Sequence, residues 1–252
     1  MSGQPLIHPT AIVDPASLAP GVQIGPFAVV AKGAILGPGV VVHPHVVIAD
    51  GVTIGEGTEI FPGTFIGKEP KGVGAVSRQP QFERRVSIGS TCAIGPHAVI
   101  YYDVVIGDHT LIADGASVRE KGIIGSYSIV GRYVTINYNT RVGSRTKVMD
   151  HSWLAGNMTI GDGVFISGGV LTTNDNRPRP DSYSDSLVGQ TIEDGVVVGA
   201  GATLLPAIRI GRNAVVGAGA TVTRDVAAET TVFGTPARVR QPPAARDPEK
   251  SR

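Results

Sequence analysis

The sequence predicts an all-β fold, a parallel β-helix built from six-residue rungs. An aliphatic residue returns every six positions, thirty times, in three blocks that run from Ile12 to Ile66, from Ile88 to Ile166 and from Ile192 to Val222. This period matches neither the 3.6-residue turn of an α-helix nor the alternation of a simple strand. With 5% aromatic and 42% hydrophobic residues, the core is expected to be thin and aliphatic.

The other positions of each rung support the same fold. If the aliphatic residue is position one, position five is small or β-branched, as at Ala98, Thr110 and Ser128, so both positions are expected to point inward. Position two is often glycine, which predicts corners that need a positive φ. The rungs resemble those of the left-handed β-helix family, and this resemblance implies a triangular prism with three rungs per coil. Thirty rungs then give about ten coils, stacked roughly 4.8 Å apart.

Two gaps interrupt the six-residue phase, between Ile66 and Ile88 and between Ile166 and Ile192. Neither gap is a multiple of six, so each predicts a loop extruded from the prism, over residues 67–87 and 172–191. Long loops on a regular scaffold often carry function. We expect the prism to be interrupted only there, with no helix between Ile88 and Ile166.

The organisation of the chain follows from this phase. We expect one β-helix domain over residues 6–226, followed by a short C-terminal extension and polar tail over residues 227–252. A net charge of +1 gives no indication of nucleic-acid or membrane-surface binding. No apolar run approaches membrane-spanning length, and residues 1–6 do not resemble a signal peptide. The single cysteine, Cys92, falls at an inward position, which favours a structural thiol in a reducing cytoplasm.

The candidate site is centred on His151, at the outward position four of its rung. With three rungs per coil, residues 18 apart stack, so Tyr133 lies below His151 and Gly169 above it. Asp150 precedes the histidine and stacks on Arg132. A histidine beside a carboxylate and a glycine gap is a plausible acid–base site. The alternative is a solvated corner histidine, with Asp150 paired to Arg132.

Neither a metal site nor a nucleophile is expected. His97 shares the column of His151 but lies three coils away, roughly 14 Å at the sheet spacing, which is too far for both to bind one ion. The sequence has no nucleophile elbow and no phosphate-binding P-loop.

Beyond the rungs, longer segments resemble the bacterial hexapeptide-repeat acyltransferases. The opening, residues 7–47, is similar to the UDP-N-acetylglucosamine acyltransferases. Other segments are similar to the nucleotide-linked amino-sugar N-acetyltransferases: residues 150–152, 161–166 and the Thr-Asn-Asp-Asn-Arg-Pro-Arg loop at 173–179. Residues 222–226 and 234–238 resemble the common C-terminal ending of these enzymes.

This resemblance implies a homotrimer that transfers an acetyl group from acetyl-CoA to the amino group of a nucleotide-activated sugar, for cell-surface polysaccharide synthesis. His151 would be the catalytic base, oriented by Asp150. The acceptor would contact Tyr133, Asn157, Asn174, Asp175 and Arg177. Acetyl-CoA would lie along Gly168, Gly169, Ala200, Ala218, Arg238 and Arg240, although solvated arginines are an equal alternative.

Three other functions stay open at the level of the sequence. A lipid A-type O-acyltransferase that uses an acyl carrier protein is favoured by the first loop and opposed by the second. A γ-type carbonic anhydrase would use the same prism, but the placement of the histidines opposes it. A non-catalytic assembly scaffold is the third.

Overall fold

The computed structural model describes residues 4–14, 18–73, 79–177 and 187–240. Within these residues the chain forms short strands and no helix, so nothing in them is a helix able to cross a membrane. Three sheets form the sides of a prism, and the chain enters sheet 1, sheet 2 and sheet 3 in turn on each coil. The predicted all-β solenoid is confirmed, and its architecture is consistent with the left-handed coil that the resemblance implies.

The strands of the described residues are as follows. Sheet 1 has 13 strands: Leu6–Ile7, Gln23–Ile24, Val41–Val42, Glu59–Ile60, Ala93–Ile94, Leu111–Ile112, Ile129–Val130, Lys147–Val148, Phe165–Ile166, Val197–Val198, Val215–Val216, Thr231–Phe233 and Arg238–Val239. Sheet 2 has 11: Ile12–Val13, Val29–Val30, Val47–Ile48, Phe65–Lys68, Val99–Tyr101, Ser117–Val118, Thr135–Ile136, Trp153–Leu154, Leu171–Thr172, Thr203–Leu204 and Thr221–Val222. Sheet 3 has 9: Ile35–Leu36, Val52–Ile54, Val86–Ile88, Val104–Ile106, Ile123–Ile124, Arg141–Val142, Thr159–Ile160, Thr191–Ile192 and Arg209–Ile210.

The central block keeps one register throughout. Ile94 lies opposite Ile112, and Ile112 lies opposite Val130, in parallel pairs that repeat every 18 residues. These position-one side chains are buried, and so are position-five residues such as Ala116. The predicted inward positions and the absence of a helix between Ile88 and Ile166 are therefore confirmed.

The first coil departs from the predicted phase. Ile12 is 68% exposed, whereas its neighbour Val13 lies opposite Val30 in sheet 2. Since Ile7 likewise lies opposite Ile24, this coil is one residue shorter than the coils above it. Placing Ile12 among the inward residues was therefore wrong, and the phase shifts at a third place besides the two gaps.

The phase shifts again at the C-terminal end. Val232 pairs in parallel with Val216, sixteen residues earlier, and the chain then returns as an antiparallel strand at Arg238–Val239. Sheet 1 therefore continues beyond residue 226. Its thirteenth strand is antiparallel and starts no new coil, so the other twelve strands of the described sheet mark about twelve coils rather than the predicted ten.

The position-two glycines have a different role from the predicted one. Positive φ falls on position four instead, for instance at His151 (φ 61°) and Gly169 (φ 67°). At position two the neighbouring coil comes too close for a side chain: a Cβ on Gly131 would lie 2.7 Å from the backbone nitrogen of Asp150. Apart from Gly67, with φ 87° where the first loop leaves, the prediction of positive φ at position two was thus wrong, because tight stacking of coils selects these glycines.

Both loops leave the prism at the same corner. The 1–2, 2–3 and 3–1 corners are named for the sheets that they join. The first loop follows Lys68 and ends before Val86, and the second follows Thr172 and ends before Thr191, so both connect sheet 2 to sheet 3.

Side chains hold the base of each loop against the prism. For the first loop, the hydroxyl of Tyr102 donates to Asp50 Oδ1 at 2.5 Å, and burial together with this bond raises the pKa of Tyr102 to about 12. Phe82 of that loop stacks on Tyr102, and Arg84 pairs with Asp50 at 3.7 Å. At the second loop, buried Gln190 donates from Nε2 to the carbonyl of Thr173 at 2.6 Å.

Candidate active site

His151 lies at the 1–2 corner, between the strands Lys147–Val148 and Trp153–Leu154. Its backbone N–H donates to the carbonyl of Arg132 on the preceding coil at 2.8 Å. The imidazole stacks on the ring of Tyr133, with centroids 5.4 Å apart and 11° between the planes. The structure thus confirms the stacking of residues 18 apart on which the candidate site depends.

Above His151, position four of the corner carries no side chains. Gly169, Gly201 and Gly219 follow one another at position four of successive coils, and a Cβ on any of them would meet no atom within 4 Å. We call these three residues the glycine track. The residue preceding each of them is also small: Gly168, Ala200 and Ala218. Four residues predicted to contact acetyl-CoA, Gly168, Gly169, Ala200 and Ala218, therefore lie along one open edge that begins at His151.

Stacking on an aromatic ring does not by itself distinguish His151. His45 stacks on Phe27 at 5.1 Å in the same column, and His109 stacks on Tyr127 at 4.7 Å at the 3–1 corner. The coil above His45 is occupied, however, because a Cβ on Gly63 would lie 2.5 Å from Nδ1 of His97. What sets His151 apart from these histidines is the open glycine track above it.

Asp150 is engaged by Arg132 through both of its carboxylate oxygens. Oδ1 accepts the backbone N–H of Arg132 at 2.9 Å, and Oδ2 accepts Nε–H at 2.9 Å. The backbone hydrogen bond, aided by the charges of Arg132 and His151, holds the pKa of Asp150 below its usual range. The carboxylate therefore stays ionised beside the imidazole. Its bonds to Arg132 also join the coil of Asp150 to the preceding coil.

Exposed apolar side chains flank the glycine track on both sheets. On sheet 2, Trp153 and Leu171 lie opposite each other and are 40% and 51% exposed. On sheet 1, Phe165 and Val197 form a similar exposed pair. Sequence reasoning missed these four residues. All four are large apolar residues at position six, which faces outward, so their position in the rung was the signal that could have found them.

The residues predicted to bind the acceptor do not all lie together. Tyr133 is at the corner of His151, whereas Asn157 is at the 2–3 corner, on the opposite edge of sheet 2. There its Nδ2 donates to the carbonyl of Leu187 at 2.8 Å, and its Oδ1 accepts from Asn139 Nδ2. Asn157 thus helps to hold the base of the second loop.

The described part of the second loop begins at the same 2–3 corner. Asn174 Nδ2 donates to the carbonyl of Gly156 at 3.2 Å, and Asp175 Oδ1 accepts the backbone N–H of Arg177 at 2.7 Å. Within one chain these residues are separated from His151 by the width of sheet 2. Arg179, also part of the predicted loop motif, lies outside the described residues.

The C-terminal arginines lie on the hairpin that covers the last coil. Arg238 belongs to its antiparallel strand, and Arg240 follows, with its N–H donating to the carbonyl of Thr231 at 2.7 Å. The N–H of Thr221, which follows the last residue of the glycine track on sheet 2, donates to the carbonyl of Gly234. Both arginine side chains are exposed on this hairpin, with Arg238 opposite Phe233 on the side of sheet 1 nearer the track.

The described ranges contain no group of three or more histidine, cysteine or acidic side chains placed to hold a metal ion. A recess of about 400 Å³ lies instead on the first coils of sheet 1, lined by residues such as His8, Gln23 and His43. It lies near the opposite end of the prism from the glycine track.

Comparison with known proteins shows which family the repeats of this chain match. The bacterial transferase hexapeptide family (six repeats) matches residues 15–50, 85–120 and 191–224. The chain carries bacterial transferase hexapeptide repeats. The resemblance to hexapeptide-repeat acyltransferases that the rungs indicated is thereby confirmed.

Relatives of this hexapeptide-repeat chain include a 2,3,4,5-tetrahydropyridine-2,6-dicarboxylate N-acetyltransferase of Staphylococcus aureus. The two are 41% identical over 83 residues, which are 33% of this chain and 30% of the relative. The match therefore spans less than a third of that enzyme.

Two solved structures resemble most of the hexapeptide-repeat chain. The UDP-N-acetylglucosamine acyltransferase of Arabidopsis has a TM-score of 0.58 and 19% identity over 94% of this chain and 72% of that one. The UDP-N-acetylglucosamine O-acyltransferase of Moraxella catarrhalis has a TM-score of 0.53 and 22% identity over 93% and 73%. At these identities the likeness shows a shared fold.

Proposed function

We propose that this chain transfers an acetyl group from acetyl-CoA to the amino group of a nucleotide-activated amino sugar, in cell-surface polysaccharide synthesis. The observation that carries the proposal is the glycine track that begins above His151. An extended, largely neutral pantetheine arm needs a narrow groove without side chains, and Gly169, Gly201 and Gly219 offer one. The exposed pairs Trp153–Leu171 and Phe165–Val197 supply apolar walls.

The proposed chemistry is a direct transfer. The acceptor amine attacks the thioester carbonyl, a C–N bond forms, and the C–S bond breaks to release CoA as its thiolate. His151 accepts the proton that the amine loses and passes it to the sulfur. The backbone N–H of Gly168 is our candidate for stabilising the oxyanion. We propose no acyl-enzyme, since the single thiol, Cys92, is buried inside the prism and does not serve as a nucleophile.

Asp150 acts in this scheme through charge rather than as a direct hydrogen-bond partner of His151. Its ionised carboxylate, held by Arg132, favours the imidazolium that forms when the amine is deprotonated. We therefore assign Asp150 a positioning and electrostatic role.

We further propose that the working enzyme is a homotrimer with its clefts between copies. The apolar residues beside the track are exposed in a single chain, and a second copy would cover them. The second loop leaves from the opposite edge of sheet 2, so a neighbouring copy is the more direct source of Asn174, Asp175 and Arg177. A cytoplasmic location agrees with the free, buried cysteine.

One observation favours a second acceptor class. The N-acetyltransferase of Staphylococcus aureus acts, by its name, on a cyclic dicarboxylate. An amine that carries carboxylates is therefore the alternative to an amino-sugar nucleotide, with the same acetyl donor and the same role for His151.

Thiol release from acetyl-CoA tests the proposal. The full chain is incubated with acetyl-CoA and a panel of amino-sugar nucleotides and amino dicarboxylates, with matched hydroxyl compounds as controls. Release that depends on an amino-sugar nucleotide is the expected result. If thiol appears only with an acyl carrier protein thioester and a hydroxyl acceptor, the enzyme is an O-acyltransferase. If bicarbonate is dehydrated, or nothing reacts, the carbonic anhydrase or scaffold function replaces the proposal.

A further inference from the structure

A second group of polar and aromatic side chains lies at the 2–3 corner, between the exits of the two loops. It consists of Lys68, Tyr101, Arg119, Glu120 and Tyr138, on successive coils, and we call it the Tyr–Arg strip. The first loop leaves directly after Lys68, and the second leaves two coils above Tyr138. The acetyl-CoA track at the 1–2 corner uses none of these residues.

The centre of the strip is an ion pair whose carboxylate is buried. Glu120 is 0% exposed, and its carboxylate accepts from Arg119 Nε at 3.1 Å and from Arg119 Nη2 at 3.2 Å. A carboxylate withdrawn from water requires a partner of this kind. The pair also fixes the guanidinium, so that Arg119, whose side chain is 30% exposed, presents its remaining N–H donors in one orientation.

Two tyrosine rings flank that guanidinium, and a lysine contacts one of them. Its Cζ lies 5.6 Å from the ring centroid of Tyr101 and 5.9 Å from that of Tyr138. Lys68 Nζ donates to the hydroxyl of Tyr101 at 2.8 Å and lies 4.2 Å from the centre of its ring. Lys68 and Arg119 carry two positive charges against the single buried carboxylate of Glu120, so the strip itself has a surplus positive charge.

The upper end of the strip is held in place by the prism. The ring of Tyr138 lies against Gly156, where a Cβ would come within 2.5 Å of Cζ. Its hydroxyl is 3.5 Å from Nδ2 of Asn174, at the start of the second loop. The strip is therefore a rigid surface of two cations and two rings rather than a set of free side chains.

We propose that the Tyr–Arg strip binds the anionic group of the acceptor, a phosphate or a carboxylate. A fixed guanidinium with donors to spare and an ammonium that contacts the same Tyr101 ring suit either anion, because both offer oxygens that accept several N–H groups together. The tyrosine rings add an apolar surface beside the charge, which fits an acceptor that carries a ring. The identification of this ligand as the acceptor rests on the proposed acetyltransferase function, whereas the anion site does not.

Calorimetric titration of the full chain without acetyl-CoA tests the site directly. The probes are uridine diphosphate, inorganic pyrophosphate, glutarate as a simple dicarboxylate, and uridine as the uncharged control. Tighter binding of the diphosphates identifies a phosphate-bearing acceptor, and tighter binding of glutarate identifies a carboxylate-bearing one. Either result supports the proposal, whereas wild-type protein that binds none of the anions, or binds uridine as well as uridine diphosphate, overturns it.

Variants then assign the binding to the strip. Lys68→Gln should weaken anion binding about tenfold or more, the effect of losing one charged hydrogen bond. Arg119→Lys retains a positive charge for buried Glu120 but lacks the guanidinium fork, so it should bind less tightly while its melting temperature stays near that of the wild type. The matched control is Arg145→Gln, an exposed arginine that pairs with Asp162 at the 3–1 corner. Unchanged affinity in both strip variants overturns the assignment.

The two proposals fail in different ways. Suppose that the wild type binds the anions, that Lys68→Gln does not, and that the wild type releases no thiol. The anion site then stands, and the acetyltransferase proposal fails. Thiol release with an unchanged KM for the acceptor in Lys68→Gln leaves the acetyltransferase and overturns the proposal that the strip binds the acceptor.

Discussion

The imidazole of His151 lies nearly parallel to the phenol ring of Tyr133, with centroids 5.4 Å apart. Tyr133 in turn covers Gly115, where a Cβ would lie 2.5 Å from its ring carbon Cε1. The histidine is thus supported from below by two coils and faces an open coil above, at Gly169. A base that is held on one side and open on the other can meet a substrate without rearrangement of the prism.

We expect His151→Ala to reduce kcat by roughly 10²–10⁴-fold, the usual contribution of a general base. The rungs contact mainly their neighbours, so the fold should survive this exposed substitution. Steady-state thiol release measures the effect.

The matched control is His109→Ala, which removes a histidine that stacks on Tyr127 at the 3–1 corner. It should leave kcat unchanged. Equal loss in both variants, or none in His151→Ala, would place the base elsewhere.

Ala200→Trp is expected to obstruct the glycine track. Ala200 is exposed and precedes Gly201, so a large side chain there can fill the groove without entering the core. The KM for acetyl-CoA should rise, since the proposed path of the pantetheine arm is occupied, while the melting temperature stays the same. Ala228→Trp, at an exposed position of the 3–1 corner, is the control and should have wild-type kinetics. A normal KM in Ala200→Trp would exclude this path.

Deletion of residues 176–186 should leave the fold intact and raise the KM for acetyl-CoA or the acceptor. The base of the loop is held by Asn157, Asn174 and Gln190, none of which is deleted. Most of the deleted residues, 178–186, lie outside the described part of the chain. Wild-type kinetics in this variant would leave the second loop with no part in the reaction.

Mixing variants tests whether the cleft lies between copies. If His151 acts with the second loop of a neighbour, co-expressed His151→Ala and loop-deleted chains should regain activity, because about a quarter of the clefts in random trimers contain both intact parts. If both parts come from one chain, the mixture should be as inactive as its components.

Asp150→Asn should reduce stability in a pH-dependent way. Hydrogen bonding from Arg132 lowers the pKa of Asp150 in the folded state, so its contribution is present above the unfolded carboxyl pKa of about 4 and is lost as pH falls through the folded value. The difference in melting temperature between wild type and Asp150→Asn should therefore shrink in acid. Arg132→Gln keeps the backbone N–H, the main cause, and should retain most of this pH dependence.

Cys92 should not react with thiol reagents in the native protein. Burial raises the pKa of its thiol, and the S–H group lies 3.2 Å from the carbonyl of Gly107 inside the prism. A disulfide reagent should titrate the thiol only after denaturant is added. Rapid native labelling would show that the interior opens, and would complicate assays of CoA release.

The candidate site was partly accessible from the sequence. Stacking at 18 residues placed Tyr133, His151 and Gly169 in one column, and it also aligns Tyr101, Arg119 and Asn137, which lead to the Tyr–Arg strip. The sequence could not show that Asp150 is engaged by Arg132 through both oxygens, because side-chain rotamers decide this. Nor could it show that Asn157 donates a hydrogen bond to Leu187 at the base of the second loop.

The six-residue period by itself determined the all-β solenoid, its inward positions and the places of its two loops, because a repeat commits every rung to the same backbone path. Only the tertiary structure decided the one-residue shift that turns Ile12 outward, the close approach of coils that requires Gly131, and the shared corner from which both loops leave. These features depend on contacts between coils 16 to 18 residues apart in sequence, or across a loop. A local pattern does not contain such distances, since they arise when one coil is packed on the next.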